Sequence, residues 1–423
     1  MATVTIEVVA QDTRGPVPGA LVSLVAAKQN PVVGITDQQG KVMFRVPAGS
    51  YHIRASAARY DAFTSFTVIS NEILLPILLM KVAPLSQASL NLRWDALQIS
   101  NWDAHFMAAA GVNGIGKGKQ KVVIILQPGT PIPSFIPATI EGVPVEVRFD
   151  EFRLLSTLPA LKSREEILVD RRKRWRPIVG GISMGHQMVT AGTYSCSVVD
   201  NATRQRMIIS NNHVIALQWG EQEIGRRGDP TLQPGPYDGG GIADKVGELE
   251  RWIKVVLEGK GTNLIDAAIA RITHPDGSRD DILEIGVPRP VIEPKVGMLV
   301  AKSGRTTGLT RGKIEEINAT VNVGGAGVCT FVDQIITNYI ATGGDSGSPV
   351  VNNLADRNIL GLLFAGSDVR NVVCKGSHIE RLLQVTFGAE PGPPPDFKIE
   401  LNPNQIAIKQ GESGRVEVSV VKV

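Results

Sequence analysis

The sequence contains little cysteine, few aromatic residues and almost no net charge. Of its 423 residues, 3 are cysteines and 5% are aromatic, and the formal net charge is +3. Three cysteines cannot all pair with one another, so we expect reduced thiols and a cytoplasmic protein. A net charge this small gives no electrostatic reason to expect nucleic acid as a partner.

Long apolar runs, a signal-peptide pattern and metal-ligand spacings are also missing. The longest apolar run covers residues 73–80, far too few to cross a bilayer. Histidine and cysteine are scattered, without the paired short spacings of a zinc site. We therefore expect a globular protein that needs no membrane, no metal and no cofactor.

What the sequence does contain is a serine framed by glycines, directly before an apolar strand. Residues 342–350 are TGGDSGSPV, with Ser346 between Asp345 and Gly347. A serine hydroxyl is a poor nucleophile, so an enzyme that uses one needs an adjacent base and donors for the oxyanion. Flanking glycines let the backbone bend until its N–H groups converge on one point. The motif therefore predicts a histidine and an acid elsewhere in the chain.

Both residues are present upstream, each next to an apolar segment. His213 lies at the end of a strand in residues 207–216 (MIISNNHVIA), and Asp266 opens a second buried strand in residues 263–272 (NLIDAAIARI). A Gly-Asp-Ser-Gly run alone is a weak signal, and a histidine or aspartate beside a strand usually has a local structural role. Their joint occurrence, in the order His, Asp, Ser, indicates a catalytic triad.

Together with residues 302–312 (KSGRTTGLTRG), these motifs resemble the trypsin-like serine endopeptidases of the bacterial, disulfide-poor kind. The resemblance implies a mainly β protein with two six-stranded antiparallel β-barrels of the chymotrypsin fold, and hydrolysis of peptide bonds. It assigns Ser346 as the nucleophile, His213 as the base and Asp266 as the residue that orients the histidine. The backbone N–H groups of Gly344 and Ser346 would form the oxyanion hole.

The resemblance also locates the substrate pocket. The residue six positions before the nucleophile, at the base of the pocket, is Ile340, so the acidic floor that selects lysine or arginine is missing. We therefore expect a small or apolar residue before the cut. The substrate-pairing strand corresponds to residues 362–367, with Phe364, Ala365 and Gly366 as substrate-binding residues. An extended peptide would add there as an antiparallel strand.

Residues 178–181 are IVGG, the sequence that begins activated animal trypsins. In those enzymes the freed isoleucine amine pairs with the acid before the nucleophile, which here is Asp345. That activation would require a cut between Pro177 and Ile178 and release of everything upstream. We favour the alternative, in which these residues form the first strand of the first barrel.

The pattern of strands, turns and linkers predicts four parts. These are a β-sandwich at 1–83, a small α/β subdomain with a basic linker at 86–175, the protease domain at 176–388, and, at 391–423, a proline-rich linker with the start of an immunoglobulin-like domain. The first part resembles the prealbumin-like modules found beside carboxypeptidases. Such modules bind or position, so an activating or recruiting protein is expected as a partner there.

Two classes of function are compatible with this organisation. The first is a regulated cytoplasmic serine endopeptidase that acts on protein or peptide substrates, is targeted by its flanking β-modules, and serves bacterial defence or stress. The alternative is a non-catalytic peptide-binding scaffold, or a protease limited to processing its own chain at the basic linker or at residues 391–396. The complete set of three triad residues favours the enzyme.

Overall fold

The computed structural model describes residues 1–27, 29–81, 85–155, 170–188, 192–388, 397–402 and 417–422. No helix in these ranges is long and apolar enough to cross a membrane. Residues 391–396 and residues 162–169 of the basic linker (162–176), where self-cleavage was predicted, lie outside the described residues.

Strands dominate the described residues, which confirms the predicted mainly β class. The helices are α1 (Gln87–Ala96), α2 (Asp103–Met107), α3 (Asn212–Ile215) and α4 (Gly376–Leu383), with short 3-10 turns at Ile99–Asn101, Pro236–Asp238 and Ile242–Asp244. The strands are β1 (Ala2–Ala10), β2 (Leu21–Val25), β3 (Val32–Ile35), β4 (Lys41–Val46), β5 (Gly49–Ser56), β6 (Asp61–Ile69), β7 (Ile73–Leu79), β8 (Val112–Gly118), β9 (Lys121–Leu126), β10 (Thr139–Ile140), β11 (Val143–Phe149), β12 (Phe152–Leu154), β13 (Ile178–Gly180), β14 (Gly185–His186), β15 (Cys196–Asp200), β16 (Arg206–Ser210), β17 (Gln218–Trp219), β18 (Gln222–Glu223), β19 (Pro230–Leu232), β20 (Lys245–Trp252), β21 (Ala268–Ile272), β22 (Ser278–Ile282), β23 (Leu299–Gly304), β24 (Gly308–Gly325), β25 (Gly327–Asn338), β26 (Pro349–Val351), β27 (Ile359–Gly366), β28 (Arg370–Lys375), β29 (Val385–Phe387), β30 (Phe397–Asn402) and β31 (Glu417–Lys422).

The N-terminal unit consists of two sheets over a shared apolar core. One sheet has the order β4-β1-β7, and the other contains β6-β5-β2-β3. Every second residue of β1 is buried, because side chains alternate between the two faces of a strand. Both sheets contribute to the core, through residues such as Ile6, Val22, Phe44 and Ile53. The likeness of this unit to prealbumin-like modules stays a prediction.

The part of the chain that holds the candidate triad residues has two halves, each built on its own group of strands. The first has the strand order β14-β19-β20-β21-β16-β15-β29. The second has the order β23-β26-β27-β28-β25-β24, and β23 also pairs with β24, so six strands close on themselves. A single apolar cluster joins the halves, since it contains Ile209 and Ile269 from the first sheet and Phe331 and Phe364 from the second. The predicted number of strands per barrel stays a prediction.

The segment between the N-terminal unit and the barrels shares its sheet with both. Strand β8 pairs with β24 of the second barrel, and β10 pairs with β6 of the N-terminal unit, which makes one sheet of fifteen strands. Residues 112–154 therefore bridge the two units through backbone hydrogen bonds. The predicted domain boundaries were drawn without this continuity and stay predictions. At the C-terminal end, β30 and β31 form an antiparallel pair.

Candidate active site

His213 is held where the first sheet ends. Strand β16 stops at Ser210, and helix α3 begins two residues later, so His213 sits in the first turn after the strand and is only 6% exposed. The side-chain amide of Asn211 donates to the backbone carbonyl oxygen of Asp266 at 2.7 Å. This bond ties the histidine-bearing turn to the segment that carries the acid.

Both carboxylate oxygens of Asp266 are used by His213. Nδ1 of the imidazole is hydrogen-bonded to Oδ2, and the backbone N–H of His213 donates to Oδ1 at 3.1 Å. Asp266 is fully buried, so its charge acts without screening by water. A carboxylate that accepts from Nδ1–H leaves Nε2 as the basic nitrogen. Nε2 is buried and has no hydrogen-bond partner among the described residues.

The nucleophile turn needs its glycines. Gly344 and Gly347 have φ values of +88° and +89°, a region that L-residues with side chains rarely adopt. A Cβ on Gly347 would lie 2.3 Å from Oγ of Ser210 and 2.4 Å from the carbonyl oxygen of Thr193. The turn therefore packs against the end of β16, next to His213. Oγ of Ser346 is buried there without a hydrogen-bond partner among the described residues.

The two predicted oxyanion donors belong to anchored peptide groups. The N–H of Gly344 shares a peptide with the carbonyl of Gly343, which accepts from Thr306 Oγ1 at 2.8 Å. The N–H of Ser346 shares one with the carbonyl of Asp345, which accepts from Ser348 Oγ at 2.6 Å. In a trans peptide the N–H points opposite to the C=O. Fixing both carbonyls therefore fixes the direction of both donors.

Thr193 connects the nucleophile turn to the first sheet. Its N–H donates to the carbonyl of Ser346 at 2.8 Å, and its hydroxyl donates to the carbonyl of Gly344 at 3.0 Å. Its own carbonyl accepts from Ser210 Oγ at 2.8 Å. One residue thus links the turn of Ser346 with the strand that leads to His213. Sequence reasoning missed it, because nothing in its local sequence distinguishes it from other threonines.

Asp345 is neutralised by a buried lysine. Both residues are fully buried, and Lys302 Nζ lies 3.4 Å from Asp345 Oδ2. The carboxylate also accepts from the N–H groups of Thr306, Thr307 and Thr342 at 2.8, 3.1 and 3.1 Å. Burial lowers the pKa of Lys302, while the adjacent carboxylate opposes that shift. Lys302 falls in the segment 302–312 singled out above, and a lysine inside an apolar strand was the available signal.

This ion pair bears on the two interpretations of residues 178–181. Ile178 is fully buried in β13, which pairs in parallel with β22. Asp345 already has a cationic partner in Lys302, so it does not need a freed amine. These contacts favour the interpretation of the segment as an initial strand over activation by a cut before Ile178.

A loop rich in glycine and proline between His213 and Asp266, residues 228–241, reaches the same region. Asp238 forms a two-point ion pair with Arg305, in which Nε donates to Oδ2 at 2.8 Å. Arg305 and Asp238 have side chains only 3% and 5% exposed. The next residue, Thr306, contacts both Asp345 and Gly343. The loop is therefore anchored, through Arg305, next to the threonine that holds the nucleophile turn. This anchoring agrees with a position of the loop beside the substrate cleft.

The four predicted substrate-binding residues are all buried. Phe364, Ala365 and Gly366 form the end of β27, and Ile340 belongs to an apolar cluster below it. The edge where a peptide would add is already paired with the chain's own strand β12. Arg153 and Leu154 lie opposite Gly366 and Ala365 in antiparallel register. Sequence reasoning did not foresee this pairing.

The three cysteines lie away from solvent and are not cross-linked. Cys196, Cys329 and Cys374 are free and buried. Burial raises the pKa of Cys196 and of Cys329 to about 12, so both remain neutral thiols near pH 7.

Part of the chain is similar in sequence to curated bacterial serine proteases. No family model matches the chain. It is 37% identical to Streptogrisin-A of Streptomyces griseus over 121 residues, which is 29% of this chain and 34% of that protein. It is also 37% identical to Serine protease 2 of Streptomyces fradiae over 111 residues, which is 26% of this chain and 52% of that protein.

Among solved structures, Thermobifida fusca Protease A aligns with a TM-score of 0.37 and 18% identity, over 50% of this chain and 97% of its own. Cellulomonas bogoriensis chymotrypsin aligns with a TM-score of 0.35 and 18% identity over the same shares. The chain thus spans about a third and about a half of the length of the two curated relatives. The predicted resemblance to bacterial serine proteases is confirmed for this part of the chain.

Proposed function

We propose that the protein is a serine endopeptidase that cleaves protein or peptide substrates through an acyl-enzyme. The observation that carries the proposal is the pairing of His213 with the buried Asp266, which leaves Nε2 free to accept a proton. A second observation in its favour is that the hydroxyl of Ser346 is buried without a hydrogen-bond partner among the described residues. Leaving such a group without a partner costs about 1–3 kcal/mol, a cost that a catalytic role explains.

The reaction follows from these positions. Ser346 Oγ attacks the carbonyl carbon of the scissile bond while His213 Nε2 takes the hydroxyl proton. The tetrahedral intermediate collapses to an acyl ester on Ser346, and the proton passes from His213 to the leaving amine. Water then attacks the acyl carbon while His213 Nε2 takes its proton, and His213 returns that proton to Ser346 Oγ as the ester bond breaks and the acid leaves. Asp266 keeps the imidazole in the required tautomer and stabilises its charged form.

The oxyanion is stabilised by the N–H groups of Gly344 and Ser346. Their peptides are already held in direction by Thr306 and Ser348, so little reorganisation is needed during the reaction. Removing one such donor costs about 3–4 kcal/mol of transition-state stabilisation in comparable sites.

Labelling with a fluorophosphonate tests this function, because the probe reacts only with an activated serine. We expect the label on Ser346 in the wild type, none in Ser346→Ala, and labelling at least about 1000-fold slower in His213→Ala. Ser56→Ala is the matched control, since Ser56 is a buried serine that is hydrogen-bonded to His105 in the N-terminal unit. Equal labelling of wild type and His213→Ala would contradict the proposal.

We further propose that the enzyme works in the cytoplasm, is regulated, and is recruited to its substrates through the N-terminal unit, in a bacterial defence or stress role. Free, buried thiols support the location. The backbone continuity from β6 through β10 and β8 to β24 supports the regulation, since a partner bound to residues 1–79 would act on the catalytic sheet directly. Imaging of the tagged protein in cells would test the location. Comparing the partners captured by the full chain with those captured after deletion of residues 1–83 would test the recruitment.

A further inference from the structure

The substrate cleft has an internal occupant. Strand β12 runs antiparallel to the end of β27, with Arg153 opposite Gly366 and Leu154 opposite Ala365. The N–H of Leu155 continues the ladder by donating to the carbonyl of Phe364 at 3.2 Å. An extended peptide substrate would make this same set of main-chain bonds.

The position of Leu155 relative to the nucleophile can be traced through hydrogen bonds. The N–H of Gly347 donates to the carbonyl of Leu363 at 2.9 Å, and the N–H of Leu363 donates to the carbonyl of Ser348 at 3.0 Å. Phe364 is the next residue of β27 and accepts from Leu155. Leu155 therefore lies beside the turn that carries Ser346.

The side chain of Leu155 fills the pocket assigned from the sequence. It is fully buried in an apolar cluster that also contains Ile340, Ala341 and Leu363. A Cβ on Gly366 would lie 3.0 Å from Leu155 Cδ2, so the absence of a side chain there leaves the room that the leucine uses.

Resting on the proposed function, we propose that residues 152–155 act as an internal pseudosubstrate that closes the cleft. Leu155 occupies the position of the residue before the scissile bond, and the enzyme prefers a leucine-sized apolar residue there. Strand β12 is also held from its other side, where Phe152 and Arg153 pair in parallel with Val323 and Gly324 of β24. External substrates must displace the segment, so the resting protein has low activity.

The test replaces Leu155 with aspartate, which expels the segment because burying a carboxylate among these apolar side chains costs far more than leaving it in water. We expect Ser346 in Leu155→Asp to react with a fluorophosphonate at least tenfold faster than in the wild type. Glu151→Ala is the matched control, because Glu151 is exposed and lies just before residues 152–155, so the slow wild-type rate should persist.

Two further measurements guard against a trivial effect on folding. Leu155→Gly empties the pocket without adding a charge and should also react faster. A peptide with the sequence of residues 150–155 (DEFRLL), added to Leu155→Asp, should slow labelling again, whereas the same peptide ending in aspartate should not.

The preference of the pocket is tested separately with quenched peptides that differ only in the residue before the cut. Leu155→Asp should favour leucine over lysine and glutamate there by at least tenfold in kcat/KM.

The outcomes separate the two proposals. Equal labelling of Ser346 in wild type, Leu155→Asp and Leu155→Gly would overturn the internal occupant and leave the serine protease function standing. A preference for lysine or glutamate would overturn the assigned pocket. A lack of labelling in every folded variant would contradict the protease function and, with it, this inference. A cut after Leu155 in the wild type, absent in Ser346→Ala, would support it.

Discussion

Removing the buried lysine next to the nucleophile turn should damage both stability and catalysis. Lys302 and Asp345 are fully buried, with Nζ 3.4 Å from Oδ2. At an effective dielectric constant of about 20, two unit charges at this separation attract by about 5 kcal/mol. Lys302→Met keeps the apolar stem but leaves Asp345 as an uncompensated buried charge. Breaking a buried pair in this way typically costs about 3–5 kcal/mol, and the hydrogen bonds to Asp345 favour the lower end.

The assay is urea unfolding combined with the labelling rate of Ser346. We expect Lys302→Met to lose about 3 kcal/mol of unfolding free energy and to label at least tenfold more slowly, because Asp345 positions the peptide that carries the oxyanion donor. Lys313→Met, at an exposed position of the neighbouring strand β24, is the matched control and should change stability by less than about 0.5 kcal/mol. Adding Asp345→Asn to Lys302→Met should recover part of the loss. If the two lysine variants are equally stable, the ion pair does not support the turn.

Three other predictions follow from the same coordinates. Asp266→Asn should keep the fold but lower kcat by about 10⁴, measured on quenched peptides, because an amide favours the wrong imidazole tautomer; a loss below tenfold would contradict the assigned role. Gly344→Ala should lose activity by about 100-fold, because the new Cβ would lie 2.5 Å from Thr306 Oγ1. Gly239→Ala is the control, because Gly239 has φ +86° but a Cβ there would have no atom within 4 Å. It should show only the conformational cost of about 1–2 kcal/mol. Equal losses of activity in Gly344→Ala and Gly239→Ala would refute the argument. Burial raises the pKa of Glu316 to about 7, above its ordinary value of 4.5, so the folded state binds more protons between these values and stability falls as pH rises through them. As pH rises from 4 to 8, the unfolding free energy of Glu316→Gln should therefore increase by about 3 kcal/mol relative to that of the wild type. Parallel pH profiles of the unfolding free energy of the two proteins would contradict this.

The three triad residues could be proposed from the sequence because their signals are local. Ser346 lies in a glycine-framed turn, while His213 and Asp266 each adjoin an apolar strand. The order of the histidine, the aspartate and the serine along the chain then favoured the chymotrypsin fold. The resemblance to bacterial serine proteases supplied the catalytic role of each residue. The structure pairs Asp266 with the imidazole and packs the nucleophile turn against the end of β16, but forms no hydrogen bond between Ser346 Oγ and His213 Nε2, and the three roles stay predictions.

The supporting contacts could not be predicted, because they join residues far apart in the chain. The position of Lys302 inside an apolar strand marks it as unusual, but only the folding of β23 brings it to Asp345. Strand β12 has only three residues, and its partner β27 lies more than 200 residues further on. No local pattern could therefore show that Leu155 fills the substrate pocket. The sheet that continues from the N-terminal unit into the second barrel was missed for the same reason.

The central claim is that Ser346 forms a covalent acyl intermediate with His213 as its base. The most direct measurement is to mix the protein with a p-nitrophenyl ester, stop the reaction in acid and map the acylated residue by mass spectrometry. The account predicts one acyl group, on Ser346, in the wild type and a larger fraction in Leu155→Asp, with none in His213→Ala. Acylation elsewhere, or equal acylation of Ser346 with and without His213, would contradict it.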